Sequence, residues 1–120
     1  MKMYAGEVRS KDKIYAASKE LPSWVYRLYP SYSKVRRLWK KYKLAGDEYM
    51  YMIWKQNNKC AACEQIFNAK DRLPCVDHDH ITREIRGLLC SQCNIALGLL
   101  GEDANKIIKL ATYIAQHKTP

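Results

Sequence analysis

Hydrophobic periodicity predicts two consecutive helices in the middle of the chain. In SYSKVRRLWKKYKL, four apolar residues recur at helical spacing and form one face: Val35, Leu38, Trp39 and Tyr42. Ser31 or Ser33 caps the start of this helix, and Ala45-Gly46 breaks it. Asp47 caps a second helix that ends at Asn57-Asn58. The Met and aromatic residues of this second helix are expected to pack in the core.

The segment before these helices carries weaker signals. Residues 1–22 show no sustained pattern and are expected to form an extended or partly ordered arm. SWVYRLYP is compatible with a short helix that Ser23 caps and that stops before Pro30, because a residue that precedes proline is disfavoured in a helix.

In the second half of the chain the pattern predicts a hairpin followed by two helices. RLPCVDH and EIRGLL contain strand-forming residues, and the segment from His78 to Arg83 connects them as a loop. A helix then runs from Ser91 to Leu99 and ends at Gly98 or Gly101. A last helix, from Asp103 to about His117, is expected to close the core with one apolar face: Ile107, Leu110, Ala111 and Ile114. These elements predict an α+β fold that is mainly helical.

Length and composition limit the protein class. A chain of 120 residues forms one domain, or one domain with an arm, and a hydrophobic content of 48% excludes wholesale disorder. No apolar run is long enough for a membrane helix, and the N-terminus lacks the apolar core of a secretory signal. We therefore expect a soluble, cytoplasmic protein without a membrane partner.

Positive charge is concentrated in the first part of the chain. Residues 1–45 contain 12 Lys/Arg and 3 Asp/Glu, whereas residues 46–120 contain 9 of each. This imbalance indicates a polyanionic partner, with nucleic acid as the leading candidate and a merely solubilising surface as the alternative. Four basic residues of the first long helix are predicted to bind DNA: Arg36, Arg37, Lys40 and Lys41. A helix-turn-helix reader is disfavoured, because the second helix is too apolar for recognition.

Four of the five cysteines predict a zinc site. They form two Cys-x-x-Cys pairs, Cys60 with Cys63 and Cys90 with Cys93. Four thiolates complete the tetrahedron of a zinc ion and leave no open position for a substrate, so this zinc is expected to be structural. Cys75 lies outside the pattern and is expected to be a buried strand residue.

The cluster VDHDH indicates a second metal, because it combines carboxylates with imidazoles. An aspartate of this cluster and the amide of Asn94, which directly follows the last cysteine, are oxygen ligands suited to Mg²⁺. A histidine beside such an ion can take a proton from water near neutral pH. Together with a polyanionic partner, this chemistry describes metal-assisted hydrolysis of phosphodiesters. The alternative is that these side chains are surface polar groups and turn formers.

The motifs CAAC, VDHDH and IRGLLCSQCNIALGLL, preceded by KYKLAGDEYMYMIWKQNNKC, resemble the recombination endonuclease VII family of His-Me finger (HNH, ββα-metal) nucleases. The resemblance covers about residues 42–116. It implies a ββα-metal core with a pair of zinc knuckles over residues 42–120. A basic N-terminal arm with helices over residues 1–41 and a C-terminal helix would flank this core.

The resemblance also implies roles for individual residues. Asp77 matches the metal-binding aspartate, Asn94 the second metal ligand and His78 the general base. His80 matches a second active-site histidine, placed at the scissile or a neighbouring phosphate, and Arg86 fits a phosphate contact. The family's structural zinc ligands correspond to Cys60, Cys63, Cys90 and Cys93.

The expected activity is that of a Mg²⁺- or Mn²⁺-dependent DNA endonuclease that leaves 5′-phosphate and 3′-hydroxyl ends. The family resemblance points to branched or distorted DNA such as Holliday junctions, and to a phage or bacterial source. Junction-resolving members act as dimers, which leaves a homodimer open here. One alternative is an HNH nicking, homing or packaging-associated nuclease that acts on ordinary duplex DNA. A second alternative is a zinc module that binds DNA without catalysis.

Overall fold

A computed structural model describes residues 21–118, which form five α-helices and one two-stranded sheet. Helices α1, α2 and α3 precede the hairpin, and helices α4 and α5 follow it. Their bounds are α1 Ser23–Tyr26, α2 Tyr32–Tyr42, α3 Gly46–Lys55, β1 Cys75–His78, β2 Ile85–Leu89, α4 Ser91–Leu99 and α5 Ala104–His117. The predicted α+β class, with a hairpin-helix core between flanking helices, is confirmed.

The predicted apolar face of α2 is confirmed, but the residue that ends the helix is not the predicted one. Ser31 caps the helix by accepting a hydrogen bond from the Lys34 N–H, and Val35 and Leu38 are buried. The helix ends because Lys43 adopts the left-handed conformation, with φ 56°. Gly46, expected to break the helix, is instead the first residue of α3. A side chain there would place its Cβ 2.6 Å from the Tyr29 hydroxyl.

Helix α3 is the central element of the fold, because α1, α2 and β2 all pack against it. Asp47 does not cap it, contrary to expectation; Ala45 occupies the N-cap position and has no side-chain acceptor. Glu48 supplies the missing bond, since its buried carboxylate accepts from the Ala45 N–H at 2.9 Å. The helix ends as predicted, with Asn57 and Asn58 both at positive φ.

The short helix α1 also begins one residue away from its predicted cap. Pro22 occupies the N-cap position and Ser23 is already helical, so Ser23 is not the cap. Val25 is fully buried and packs with Leu21, Met50 and Tyr51 in a small second apolar cluster.

Of the arm predicted over residues 1–22, all but the last two residues lie outside the described range. The domain boundary at residue 42 stays a prediction.

Strands β1 and β2 pair antiparallel, with Cys75 opposite Leu89 and Val76 opposite Leu88. The first strand is shorter than RLPCVDH predicts, because Arg72 pairs with Asn68 in an isolated bridge and Pro74 has no N–H to donate. The hairpin loop lies where it was predicted.

None of the helices in residues 21–118 has the length and apolar run that crossing a bilayer takes.

One amide side chain joins α3 to the hairpin. Gln56, at the end of α3, accepts from the Leu88 N–H at 2.9 Å and donates to the Leu88 carbonyl at 3.0 Å. It therefore pairs with β2 as a neighbouring strand would. Ala61 donates to the same carbonyl at 3.0 Å, which brings the first Cys-x-x-Cys turn against β2. The main core lies on the inner side of this junction and includes Ile53, Phe67 and the fully buried Leu88.

Helix α5 does not close the core, contrary to the prediction. No residue of α5 is buried: Leu110 is 44% exposed and Ile114 is 53% exposed. The apolar periodicity itself is present, and Asp103 caps the helix by accepting from the N–H groups of Asn105 and Lys106. The core is already filled by α2, α3 and the hairpin, so the apolar face of α5 has no described element to cover it.

We expect Gln56→Met to lower the free energy of unfolding by about 2 kcal/mol, because the buried N–H of Leu88 would lose its acceptor. Methionine keeps the length and much of the volume of the side chain, so the change isolates the amide. Urea unfolding of the metal-loaded protein measures the effect. Gln116→Met on exposed α5 is the matched control and should change stability little. Equal effects of the two substitutions would contradict the bridging role of Gln56.

Candidate functional site

Four cysteine sulfurs meet in one cluster, as the spacing of the two pairs predicted. The sulfurs of Cys60, Cys63, Cys90 and Cys93 all lie within 4.8 Å of one another. The first pair lies on the turn after α3, and the second lies at the start of α4, where Cys90 is the N-cap residue. The Cys90 sulfur accepts from the Cys93 N–H at 3.5 Å, in the manner of a helix cap.

The backbone around the cluster favours thiolate at its buried end. Burial raises the pKa of the Cys60 thiol, but hydrogen bonds from the backbone of Cys63, Cys90 and Ala62 lower it by more, to about 6. Burial raises the pKa of Cys93 to about 12, together with hydrogen bonds to the other sulfurs. A bound cation would favour the thiolate form of all four sulfurs, because metal ligands must be deprotonated.

Cys75, at the start of β1, is not part of this cluster. It is half-buried rather than fully buried, and its thiol lies 3.8 Å from the Leu73 carbonyl. Burial raises the pKa of this thiol. Its predicted position outside the cysteine cluster is confirmed, whereas its burial is only partial.

A β-bulge shapes the end of the hairpin where the Asp and His residues lie. Asp77 pairs with Gly87, but His78 pairs with Ile85, so β2 has one extra residue, Arg86, opposite this step. A bulge bends its strand and re-aims the side chains beside it. Gly87 itself is buried, with Gln56 and Ala61 next to its Cα.

The bulge residue Arg86 joins three other charged or titratable side chains in one network. Its Nε donates to Asp77 Oδ2 at 2.9 Å and its Nη2 to Asp77 Oδ1 at 3.0 Å, a two-point pair. The same Nη2 contacts Glu102 Oε1 at 2.9 Å. The other oxygen of Glu102 lies 2.8 Å from His80 Nε2. The hydrogen bonds that Arg86 donates to Asp77 and Glu102 raise the pKa of its guanidinium above the usual value.

Three rings form a row beside this network. The ring of His78 lies 5.3 Å from that of Tyr42, at the end of α2, and 4.9 Å from that of His80. Tyr42 thereby fixes one side of the His78 imidazole and brings α2 to the end of β1. Asp77, His78, His80 and Arg86, all predicted from the sequence, are thus neighbours at one end of the hairpin.

The second aspartate of VDHDH serves the turn instead. Asp79 Oδ1 accepts from the N–H groups of Ile81 and Thr82 at 2.8 and 2.9 Å. These backbone hydrogen bonds, first from Thr82 and then from Ile81, lower the pKa of the Asp79 carboxyl. The turn-former alternative therefore applies to Asp79, while Asp77 belongs to the charged network.

Asn94 lies in the first turn of α4, one residue beyond Cys93, and is half-buried. Helix α4 packs against both strands of the hairpin. The side chain of Asn94 forms no hydrogen bond with any residue in 21–118, so its oxygen remains available to a ligand. The first turn of α4 is held by the cysteine cluster, which fixes where Asn94 lies relative to the strands.

The predicted basic surface is present on α2. Arg36, Arg37, Lys40 and Lys41 are exposed, and they border a shallow depression with Ser33, Trp39 and Lys43. None of the four pairs with a carboxylate within residues 21–118, where the ion pairs join Asp77, His80, Arg86 and Glu102. An unneutralised positive surface of this kind suits phosphate groups.

The sequence analysis missed Glu102 as a residue of the site, and it missed the contact between the rings of Tyr42 and His78. Glu102 lies in the turn between α4 and α5, sixteen residues after Arg86. No spacing rule connects such a position to the hairpin. Tyr42 was assigned to the apolar face of α2, which is correct but incomplete, because its ring also contacts His78.

The chain matches known proteins over most of this region. Residues 35–116 match the family model described as recombination endonuclease VII. The Gene 59 protein of Mycobacterium phage L5 is 43% identical over 58 residues, 48% of this chain and 35% of that protein. The Gene 59 protein of Mycobacterium phage D29 is 31% identical over 80 residues, 67% of this chain and 42% of that protein.

These curated relatives are longer than the part they share with this chain, which spans less than half the length of each. No solved structure matches the chain. The family match covers more than half of the chain and contains the cysteine cluster, the hairpin, helix α4 and all of α5 except its last residue. The chain belongs to the recombination endonuclease VII family.

Proposed function

We propose that this protein is a metal-dependent DNA endonuclease that hydrolyses phosphodiester bonds to 5′-phosphate and 3′-hydroxyl ends. The observation that carries the proposal is the meeting of Asp77, His78, His80 and Arg86 at one end of a hairpin that lies between the two halves of a four-cysteine cluster. Family membership supports the same reaction class. A purely structural role would not require two imidazoles, a carboxylate and a guanidinium on one small surface.

Zinc is the proposed occupant of the cysteine cluster. Four thiols from two Cys-x-x-Cys turns, within 4.8 Å of one another, fit the tetrahedral sulfur coordination of a structural zinc. The cluster joins the turn after α3 to the start of α4, and the hairpin lies between these two in the sequence. Its role would be to fix Asn94 relative to Asp77 rather than to take part in the reaction.

Asp77 and Asn94 are the proposed ligands of a divalent cation, Mg²⁺ or Mn²⁺. A carboxylate and an amide oxygen are suitable donors for such a hard ion. Both oxygens of Asp77 are hydrogen-bonded to Arg86, so the cation would replace at least one of these bonds. When bound, it would stabilise the negative charge that develops on the phosphate and on the leaving oxygen.

The reaction itself would be carried by the side chains around the end of β1. His78 takes a proton from water as the water oxygen attacks phosphorus, and the bond to the 3′ oxygen breaks on the opposite side. The contact with Tyr42 limits how far the His78 ring can turn. His80 and Arg86 donate hydrogen bonds to the phosphate oxygens. The basic face of α2 binds neighbouring phosphates, which positions the strand.

Branched or distorted DNA, such as a four-way junction, is the proposed substrate. This substrate is supported by the family to which the chain belongs, because the description of that family names recombination. The basic face of α2 favours a second candidate, an HNH-type nuclease that nicks ordinary duplex DNA, because phosphate contacts there require no branch. A homodimer would suit a junction with two strands to cut, and the proposed site of action is the cytoplasm of a bacterial host.

Replacement of a cluster cysteine should remove zinc. We expect Cys63→Ser to lose the bound zinc and to lower the unfolding temperature, because zinc binding and folding of this region are coupled. Cys63 is exposed, so serine at this position costs no core packing. Elemental analysis and thermal unfolding measure the two effects. Cys75→Ser, outside the cluster, is the control and should keep one zinc per chain; its loss there would argue against the assigned ligand set.

Removal of the proposed base should abolish cleavage without unfolding the protein. We expect His78→Ala to lower the single-turnover cleavage rate by about 100- to 10 000-fold. Zinc content and salt-dependent DNA binding, measured without divalent cation, should remain. His117→Ala, at the exposed end of α5, is the matched control and should cleave at the normal rate. Undiminished cleavage by His78→Ala would show that another group accepts the proton.

Substrate preference is tested with a synthetic four-way junction and the linear duplexes that form its arms. We expect Mg²⁺-dependent cleavage of the junction to be several-fold faster than that of any arm. Equal rates would support the duplex-nicking alternative. Binding that does not depend on Mg²⁺, without cutting of either substrate, would support a non-catalytic zinc module.

A further inference from the structure

Glu102 is held in position by the turn that ends α4. Gly101 and Glu102 both have positive φ, 65° and 57°, and the Glu102 N–H donates to the Leu97 carbonyl at 3.0 Å. A residue with a side chain, such as Glu102, adopts this left-handed conformation only at a cost of about 1 kcal/mol. The turn fixes the backbone from which the carboxylate reaches the hairpin.

The two oxygens of this carboxylate contact two different residues of the proposed nuclease site. Oε1 accepts from Arg86 Nη2 at 2.9 Å, and Oε2 lies 2.8 Å from His80 Nε2. Only 23% of the Glu102 side chain is exposed, whereas the His80 side chain is 69% exposed. A histidine with so much freedom keeps one orientation only if something holds it, and Glu102 is its charged partner.

Arg86 lies between two carboxylates and can therefore exchange one for the other. Both Asp77 oxygens are bonded to its guanidinium, which blocks the carboxylate proposed as a metal ligand. A divalent cation at Asp77 would also repel the guanidinium that it displaces. The existing bond to Glu102 keeps Arg86 paired after the displacement, so the positive charge is neither stranded nor pushed out of the site.

We propose that Glu102 is a positioning residue: it orients His80 toward the phosphate and retains Arg86 when Asp77 passes from the guanidinium to a divalent cation. The proposal rests on the proposed nuclease function, since it concerns the same site. It assigns to the turn between α4 and α5 a part in metal loading. Arg86 then changes from blocking the metal ligand to contacting phosphate.

The test is the affinity of the zinc-loaded protein for Mn²⁺, measured by calorimetry without DNA. Glu102→Gln keeps the size of the side chain and removes its charge, and should weaken Mn²⁺ binding about ten-fold, as loss of an outer partner of a metal ligand does. Glu84→Gln removes the same charge from the exposed hairpin outside the network, and is the control that should leave the affinity unchanged.

A double-mutant cycle shows whether Glu102 acts through Arg86. In an Arg86→Met background, no guanidinium competes for Asp77, so Glu102→Gln should weaken Mn²⁺ binding much less than it does in the native background. The same loss in both backgrounds, or no loss in either, would overturn the proposal. Glu102→Asp keeps the charge but is too short to reach both partners, and an intermediate affinity is expected; native affinity would also overturn it.

Cleavage separates failure of this inference from failure of the nuclease assignment. On a cleavable DNA, Glu102→Gln should lower kcat with little change in KM, since His80 is no longer oriented. If the unmodified protein cleaves no DNA, the proposed nuclease function is refuted. The Mn²⁺ affinities of the double-mutant cycle would still test the role of Glu102, because they do not depend on cleavage. If the native protein cleaves DNA and Glu102→Gln has the same kcat, Glu102 does not orient His80. That result would refute only this part of the proposal.

Discussion

The convergence of two separate turns on four sulfur atoms is the constraint on which the rest of the structure depends. Cys60 and Cys63 follow α3, Cys90 and Cys93 begin α4, and all four sulfurs lie within 4.8 Å of one another. The hairpin is the segment enclosed between these turns, so its ends are fixed by the cluster. Gln56 adds a second attachment at Leu88. Small cores need such cross-links, because apolar burial alone supplies little net stability.

The elements that depend on local signals could be predicted from the sequence. The cysteine spacing, the apolar face of α2 and the Ser31 cap are all read from neighbouring residues, and the structure confirms them. The family resemblance rested on the same short motifs. The motif VDHDH marked the site, and the individual roles of Asp77, His78, His80 and Arg86 came from the resemblance; the pairing of the two strands explains why these residues are neighbours.

The predictions that were wrong, and the residue that was missed, depend on contacts between residues distant in the sequence. Gly46 looked like a helix breaker, but its lack of a side chain accommodates Tyr29. The periodicity of α5 predicted burial, yet periodicity gives a face and not the partner that covers it. Glu102 meets Arg86 only because α4 folds back over the hairpin, and the backbone turn at Gly101 directs it there.

The extra residue at Arg86 has a consequence for how this hairpin can vary. A bulge absorbs one extra residue in one strand, so the pairs on both sides of it keep their register: Asp77 lies opposite Gly87, and His78 lies opposite Ile85. Deletion of Arg86 would leave these pairs in place and would remove only the guanidinium and the local bend. Loss or gain of a residue at this position therefore changes the charge beside Asp77 without a slip of register in the rest of the hairpin.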